Sequence, residues 1–114
     1  MPYLRIQTNV EPAPAERAPL LAALSAGVAA ALGKDERYVM VALETAVPML
    51  FGGSDAPLAY LELKSIGLPA RTEELSRRLC QTVGERLGIP AQRIYIEFAD
   101  APGHLWGWNG GTFG

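Results

Sequence analysis

The chain opens on an alternation. Tyr3-Leu4-Arg5-Ile6-Gln7 sets apolar against polar side chains with a period near two, which predicts a strand at the chain start. Val10 to Pro14 is a proline-bearing connection, and Pro19 fits the first turn of a helix, where a missing N–H is tolerated. Leu21, Leu24, Val28, Ala31 and Leu32 then recur at helical spacing, with Gly33 placed to cap the C-terminus. Tyr38-Val39-Met40-Val41-Ala42-Leu43 predicts a strand apolar enough to be buried on both faces. A loop from Val47 to Pro57 carries Phe51-Gly52-Gly53-Ser54. It has neither the Lys-Ser/Thr of a phosphate loop nor a dinucleotide fingerprint, so the glycines read as a turn.

The pattern then begins again. Ala59-Tyr60-Leu61-Glu62-Leu63 echoes Pro2-Tyr3-Leu4-Arg5-Ile6. Thr72 is a candidate N-cap, with Glu73 and Glu74 suited to the positive end of the next helix. Leu75, Leu79, Val83 and Leu87 step by four along it, and Gly88 ends it. Arg93-Ile94-Tyr95-Ile96-Glu97-Phe98 then matches Arg37-Tyr38-Val39-Met40-Val41-Ala42. Two strand–helix–strand units, roughly 1–50 and 58–108, form an internal repeat within a single domain over 1–114. The expected architecture is α/β (α+β): a four-stranded mixed sheet with both helices on one face, plus short extra strands. The other sheet face is expected to be bare and apolar, and such a face calls for partner subunits. The tail from Trp106 to Gly114 is rich in glycine, yet its aromatics predict packing, against a neighbouring subunit.

Composition narrows the function classes. With 10 basic and 12 acidic residues, the chain has no electrostatic reason to bind nucleic acid or an acidic membrane surface. Cys80 is the one cysteine, so no internal disulfide forms, and its place among helical apolar residues reads as a structural thiol. His104 is the one histidine and has no companion at ligand spacing, so no metal site is expected. Charges at Arg5, Glu11, Glu16 and Arg17 break any secretory signal, which points to a cytoplasmic protein. The uncharged run Ala18–Leu32 reads as too short for a membrane span and better suited to a buried or subunit-facing helix.

Candidate chemistry sits at the chain start. A proline in second place permits removal of Met1, which would leave a secondary amine at the head of the first strand. An α-amino group titrates at about 7.7–8.0, and burial or a nearby cation lowers that. The result is a general base poised near neutral pH.

Taken with Thr8-Asn9-Val10, Gly33-Lys34, Phe51-Gly52-Gly53-Ser54, Ser65-Ile66-Gly67, Arg93-Ile94-Tyr95-Ile96, Gly107-Trp108-Asn109 and Thr112-Phe113, the Met1-Pro2 start resembles the macrophage migration inhibitory factor and D-dopachrome tautomerase family of the tautomerase superfamily. The likeness runs the whole length, and it rests on the order and spacing of these motifs together. The resemblance implies a homotrimer, three sheets around a central channel, with an active site at each subunit boundary. It implies keto–enol tautomerisation of aryl pyruvates such as phenylpyruvate, with dopachrome a further candidate, and no cofactor. By position, Pro2 becomes the base, and Lys34 lowers its pKa and holds the substrate carboxylate. Ile66 offers a backbone contact, Tyr95 comes from the adjacent subunit, and Trp108 and Phe113 close an apolar pocket around the aryl ring.

Two departures from the family pattern stand out. Leu58 and Leu61 replace a Cys-x-x-Cys pair of the vertebrate cytokine, which removes its thiol–disulfide chemistry. Glu97 stands where the cytokine has an asparagine; on a strand it faces the same way as Tyr95, bringing a carboxylate to the substrate-binding side. Two rival readings accompany the tautomerase. One is a cytokine-like signalling or partner-binding protein with a vestigial pocket, whose protein receptor the sequence does not reveal and which the family can release without a signal. The other is a small keto-acid decarboxylase, which an arginine beside the base would favour and which no motif supplies.

Overall fold

The opening alternation persists residue by residue in the folded chain: along β1 (Tyr3–Thr8), Leu4, Ile6 and Thr8 are buried while Tyr3, Arg5 and Gln7 are half-covered. The computed structural model describes residues 1–114. After β1 comes α1 (Pro14–Leu32), whose first turn holds Pro14. Pro19 therefore lies inside the helix, one turn later than expected, where it leaves the Ala15 carbonyl without its usual amide partner. The buried stripe of α1 is Leu20, Leu24, Val28 and Ala29, with Leu20 rather than Leu21 at its start. Gly33 ends the helix with φ 63, a left-handed conformation that glycine adopts without a Cβ penalty.

The next apolar run differs from expectation. Glu36–Tyr38 winds into a 3-10 turn, and the strand, β2 (Met40–Glu44), begins only at Met40. It is an edge strand with no fully buried residue, and Met40 is 65% exposed. Its apolar residues serve two surfaces. Val41 and Leu43 pack on the core, whereas Met40 and Ala42 line a cavity described below.

The second unit repeats the first: β3 (Ala59–Ser65), α2 (Glu73–Leu87), a 3-10 turn at Ala91–Arg93, and β4 (Ile94–Asp100). Leu75, Leu79, Val83 and Leu87 are all buried, and Gly88 ends α2 with φ 67. Thr72 precedes α2 but its side chain makes no capping bond, while Glu73 and Glu74 occupy the first turn. The sheet order is β2-β1-β3-β4. Each outer strand runs parallel to its inner neighbour, and the inner pair β1 and β3 is antiparallel. Leu4 and Ile6 thereby lie beside Leu63 and Leu61, and all four pack with Leu24, Val28, Leu79 and Val83 in one core. Cys80 sits at the edge of that core, where burial pushes its thiol up and keeps it neutral.

The opposite sheet face is not the apolar surface expected. It carries a polar ladder across all four strands. Arg5 Nε donates to Glu44 at 2.7 Å, and Gln7 donates to the same carboxylate at 3.2 Å. Glu62 lies 3.9 Å from Arg5 and 3.7 Å from Lys64. The Tyr60 hydroxyl donates to Glu97 at 2.8 Å. Of the large exposed apolar groups, Met40 and Tyr95 stand on the two outer strands of this same face, and Leu50, Leu105 and Trp108 on loops and the tail. α1 extends back through Arg17 and Glu16 to 19 residues, so by length and composition alone it is long and apolar enough to cross a bilayer, contrary to the reading of its uncharged part. Its Leu20, Leu24 and Val28 stripe packs on the sheet, as in a core helix.

Candidate active site

The chain start is tied down rather than frayed. Pro2 is buried, and its carbonyl accepts from the Met40 amide at 3.0 Å, just ahead of the Tyr3↔Met40 register that begins the β1–β2 ladder. Partial burial, and then the positive charge of Lys34, lower the terminal amine of Met1 below its ordinary value of 8.0. Both causes disfavour the ammonium form, which is the direction a base working near neutral pH requires.

Lys34 arrives there through the end of α1. Once Gly33 has turned the backbone, the Lys34 amide donates to the Ala29 carbonyl at 3.0 Å. The ammonium Nζ then reaches across to the loop after β3 and donates to the Ile66 carbonyl at 2.9 Å. Lys34 and Ile66 are thus brought together in one contact. The Lys34 charge is held where it acts on the terminal amine through space.

Met1 and Pro2 open into a cavity of about 550 Å³. One wall is a hairpin of β5 (Gly107–Trp108) and β6 (Gly111–Thr112), joined by Asn109-Gly110. Both turn residues have positive φ, 51 and 79, as this two-residue hairpin requires. The indole of Trp108 stacks on Phe113 with centroids 5.7 Å apart and meets Tyr38 edge-on at 6.0 Å. The aromatic tail therefore packs on its own chain. Trp108 is 55% exposed, so it is a wall of an open cavity and not part of the core.

Pro2, Trp108 and Phe113 share this cavity, and the structure adds Tyr38, Met40, Trp106 and Arg37, which the sequence reading did not place there. The Asn109-Gly110 dipeptide was the available signal for the hairpin and hence for Trp106 beside it. Tyr38 and Arg37 carry no such signal, because the apolar run from Tyr38 reads as continuous strand whereas the chain winds into a turn there. Arg37 is the one charged side chain among the twelve lining residues. Its guanidinium lies over the Tyr38 ring, 4.9 Å from the centroid, with Nε 3.1 Å from Asp35.

Tyr95 and Glu97 are elsewhere. They lie on β4, two strands from β1, and Tyr95 aligns through Tyr60 with Gln7, at the far end of β1 from Pro2. With strands about 4.8 Å apart and a rise of about 3.3 Å per residue, roughly 20 Å separates Tyr95 from Pro2 within one chain. Tyr95 packs on Phe51 with centroids 4.6 Å apart. The loop bearing Phe51 is held by Arg93, which donates to the carbonyls of Pro57, Phe51, Ser54 and Ala56. Glu97 accepts from Tyr60, whose phenol is pushed up to about 12, chiefly by that hydrogen bond.

The description "Macrophage migration inhibitory factor (MIF)" belongs to a family model that matches residues 1–114. The macrophage migration inhibitory factor homolog of Brugia malayi is 40% identical over 116 residues, covering 100% of both chains. Among solved structures, the homologue from Prochlorococcus marinus has a TM-score of 0.92 at 50% identity, covering 98% of this chain and 99% of its own. The factor from Trichinella spiralis has a TM-score of 0.90 at 36% identity, covering 97% and 99%. A likeness that runs from end to end in both sequence and backbone makes this chain a member of the macrophage migration inhibitory factor family, within the tautomerase superfamily.

Proposed function

We propose that this chain is a keto–enol tautomerase of aryl pyruvates such as phenylpyruvate, with the amine of Pro2 as general base once Met1 is removed. The observation that carries this reading is the placing of Pro2: buried at the head of β1, bonded through its carbonyl to Met40, and lining an aromatic cavity beside a chain end where burial and then Lys34 disfavour the ammonium form of the Met1 amine. In the forward direction the Pro2 nitrogen takes a proton from the carbon beside the keto group. The electron pair of that C–H bond becomes the enol double bond, and the keto oxygen takes up the negative charge and then a proton. Lys34, which stands outside the cavity lining on the Ile66 carbonyl, would turn its ammonium to the substrate carboxylate and favour the developing charge, while Trp108 and Phe113 flank the aryl ring.

The same reading takes the site to be completed by a second copy. Tyr95, 65% exposed and backed by Phe51, and with it Glu97, would reach the Pro2 cavity of the next subunit in a homotrimer. The exposed Met40 and Trp108 at one edge of the subunit and Tyr95 and Leu50 at the other supply the two unlike surfaces a closed ring needs. Light scattering should give about three times the 12.2 kDa chain mass, and a monomer would remove Tyr95 from the site.

The deciding experiment compares Met1-processed, Met1-retaining and Pro2→Gly protein with phenylpyruvate. A Met1–Pro2 peptide bond turns the proline nitrogen into a non-basic amide, so activity should track the processed fraction by intact mass. Full activity in wholly Met1-retaining protein rules out Pro2 as base. No activity in processed protein would favour the partner-binding reading. Arg37 in the cavity wall also supports a second reading, decarboxylation of a small keto acid, which release of carbon dioxide would establish.

A further inference from the structure

We propose that Arg37 forms a second anion-binding subsite in the Pro2 cavity, and that the preferred substrates are 2-keto acids with a second carboxylate at the end remote from the keto acid. The proposal rests on the reading of Pro2 as base and names the substrate class for that site.

Nine of the twelve residues lining the cavity are hydrophobic, and no acidic side chain is among them. A guanidinium in such a wall has no counter-charge inside the cavity. Its one ion pair is outside the lining, with Asp35, and engages Nε at 3.1 Å. The closest approach to Asp35 is through Nε, and the two Nη groups make no hydrogen bond within the chain. Contact with the face of Tyr38 orients the guanidinium. A planar fork with free donors matches a carboxylate, which it can bind through two parallel hydrogen bonds. The pair with Asp35 is exposed, 72% on the arginine side, and so exerts little hold against a ligand.

The second cation is in a different place. Lys34 is absent from the cavity lining; it is tied to Ile66 and acts on the terminal amine. A monoacid bound with its keto-acid end at Lys34 and Pro2 leaves Arg37 unused. A diacid places one carboxylate at each cation and its middle against Trp108 and Phe113.

The test compares 4-carboxyphenylpyruvate with phenylpyruvate on processed protein. The ratio of kcat/KM for the diacid to that for the monoacid should fall about tenfold or more in Arg37→Ala, mainly through KM, with Arg37→Lys intermediate because it keeps charge and loses the fork. An unchanged ratio in Arg37→Ala overturns the subsite. Calorimetric titration of both acids into wild-type and Arg37→Ala protein separates this from failure of the tautomerase reading. If nothing is turned over, tighter diacid binding that is lost in Arg37→Ala still upholds the subsite. Equal affinity of the wild type for both acids overturns it.

Discussion

The Lys34 ammonium donates to the main-chain carbonyl of Ile66 at 2.9 Å, joining the end of α1 to the loop after β3 beside the chain terminus. The contact fixes a positive charge where it opposes protonation of the terminal amine. Replacing Lys34 by Met removes that opposition, so the base pKa should rise toward the ordinary α-amino value. The acid limb of the kcat/KM profile should move to higher pH and the rate at pH 7 should fall. Lys34→Arg, which keeps the charge, should hold the limb near its wild-type position. A profile that does not move in Lys34→Met would remove Lys34 from the control of the base.

Glu97 and Tyr60 predict a second titration. The Tyr60 phenol is held at about 12 by its hydrogen bond to Glu97, then by desolvation and its bond to Glu62. Glu97→Gln should bring its midpoint, read by tyrosinate absorbance, down toward 10.0. The folded pKa lies above the unfolded one, so this stabilising contribution is present below about pH 10 and is lost as pH rises through about 12. An alkaline unfolding midpoint that is the same in both proteins would show the bond to be unimportant for stability.

Gly103 predicts how the cavity wall is held. The Phe113 amide donates to the Gly103 carbonyl at 3.2 Å, and a Cβ at Gly103 would stand 2.8 Å from the Phe113 carbonyl oxygen. That oxygen is backbone and has no rotamer to escape into. Gly103→Ala should therefore displace the tail and disturb the Trp108–Phe113 stack. The expected readouts are a changed tryptophan fluorescence spectrum and a KM for phenylpyruvate raised several-fold, with little change in the denaturation midpoint.

Arg93 predicts a stability effect. Its guanidinium serves four loop carbonyls and lies over the Phe51 ring at 5.3 Å. Hydrogen bonds from a charged donor are worth about 1.5–3 kcal/mol each when buried, and these are largely exposed. Arg93→Met should cost about 1–3 kcal/mol in denaturant unfolding. Arg93→Lys should recover only part of this, because one ammonium cannot span four carbonyls.

For the core, Leu61 is fully buried in the middle of the sheet, where truncation leaves a cavity that the neighbours fill incompletely. Leu61→Ala should lower stability by about 2–5 kcal/mol. A loss below 1 kcal/mol would mean that the core relaxes around the site.

Local physics made much of this protein legible before any coordinates. The alternation in Tyr3–Gln7 and the four-residue step of Leu75, Leu79, Val83 and Leu87 each assign a face by geometry internal to one element, and both assignments agree with the structure. Gly33 and Gly88 end their helices because a left-handed residue is a single-residue property. The errors have a different origin. The apolar run from Tyr38 to Leu43 states what is apolar but not which neighbour covers it, so an edge strand beside a cavity passed for a buried one. Pro19 lies one turn deeper than its residue type suggests, because Pro14 fills the first-turn role equally well.

By itself, then, the sequence determined the strand–helix–strand repeat, the core-facing stripe of α2 and the residue types available at the chain start. These follow from periodicity and from chemistry confined to a few neighbouring positions. Only the tertiary structure decided the polar ladder on the open sheet face, since Arg5 and Glu44, or Tyr60 and Glu97, are 39 and 37 positions apart and meet solely through strand register. It also decided that Arg37, Tyr38, Trp106 and Trp108 share a cavity with Pro2 while Tyr95 and Glu97 lie at the far edge. Each of these juxtapositions depends on which strands become neighbours and how a hairpin folds back, and that choice is made by burial of the whole core rather than by any local segment.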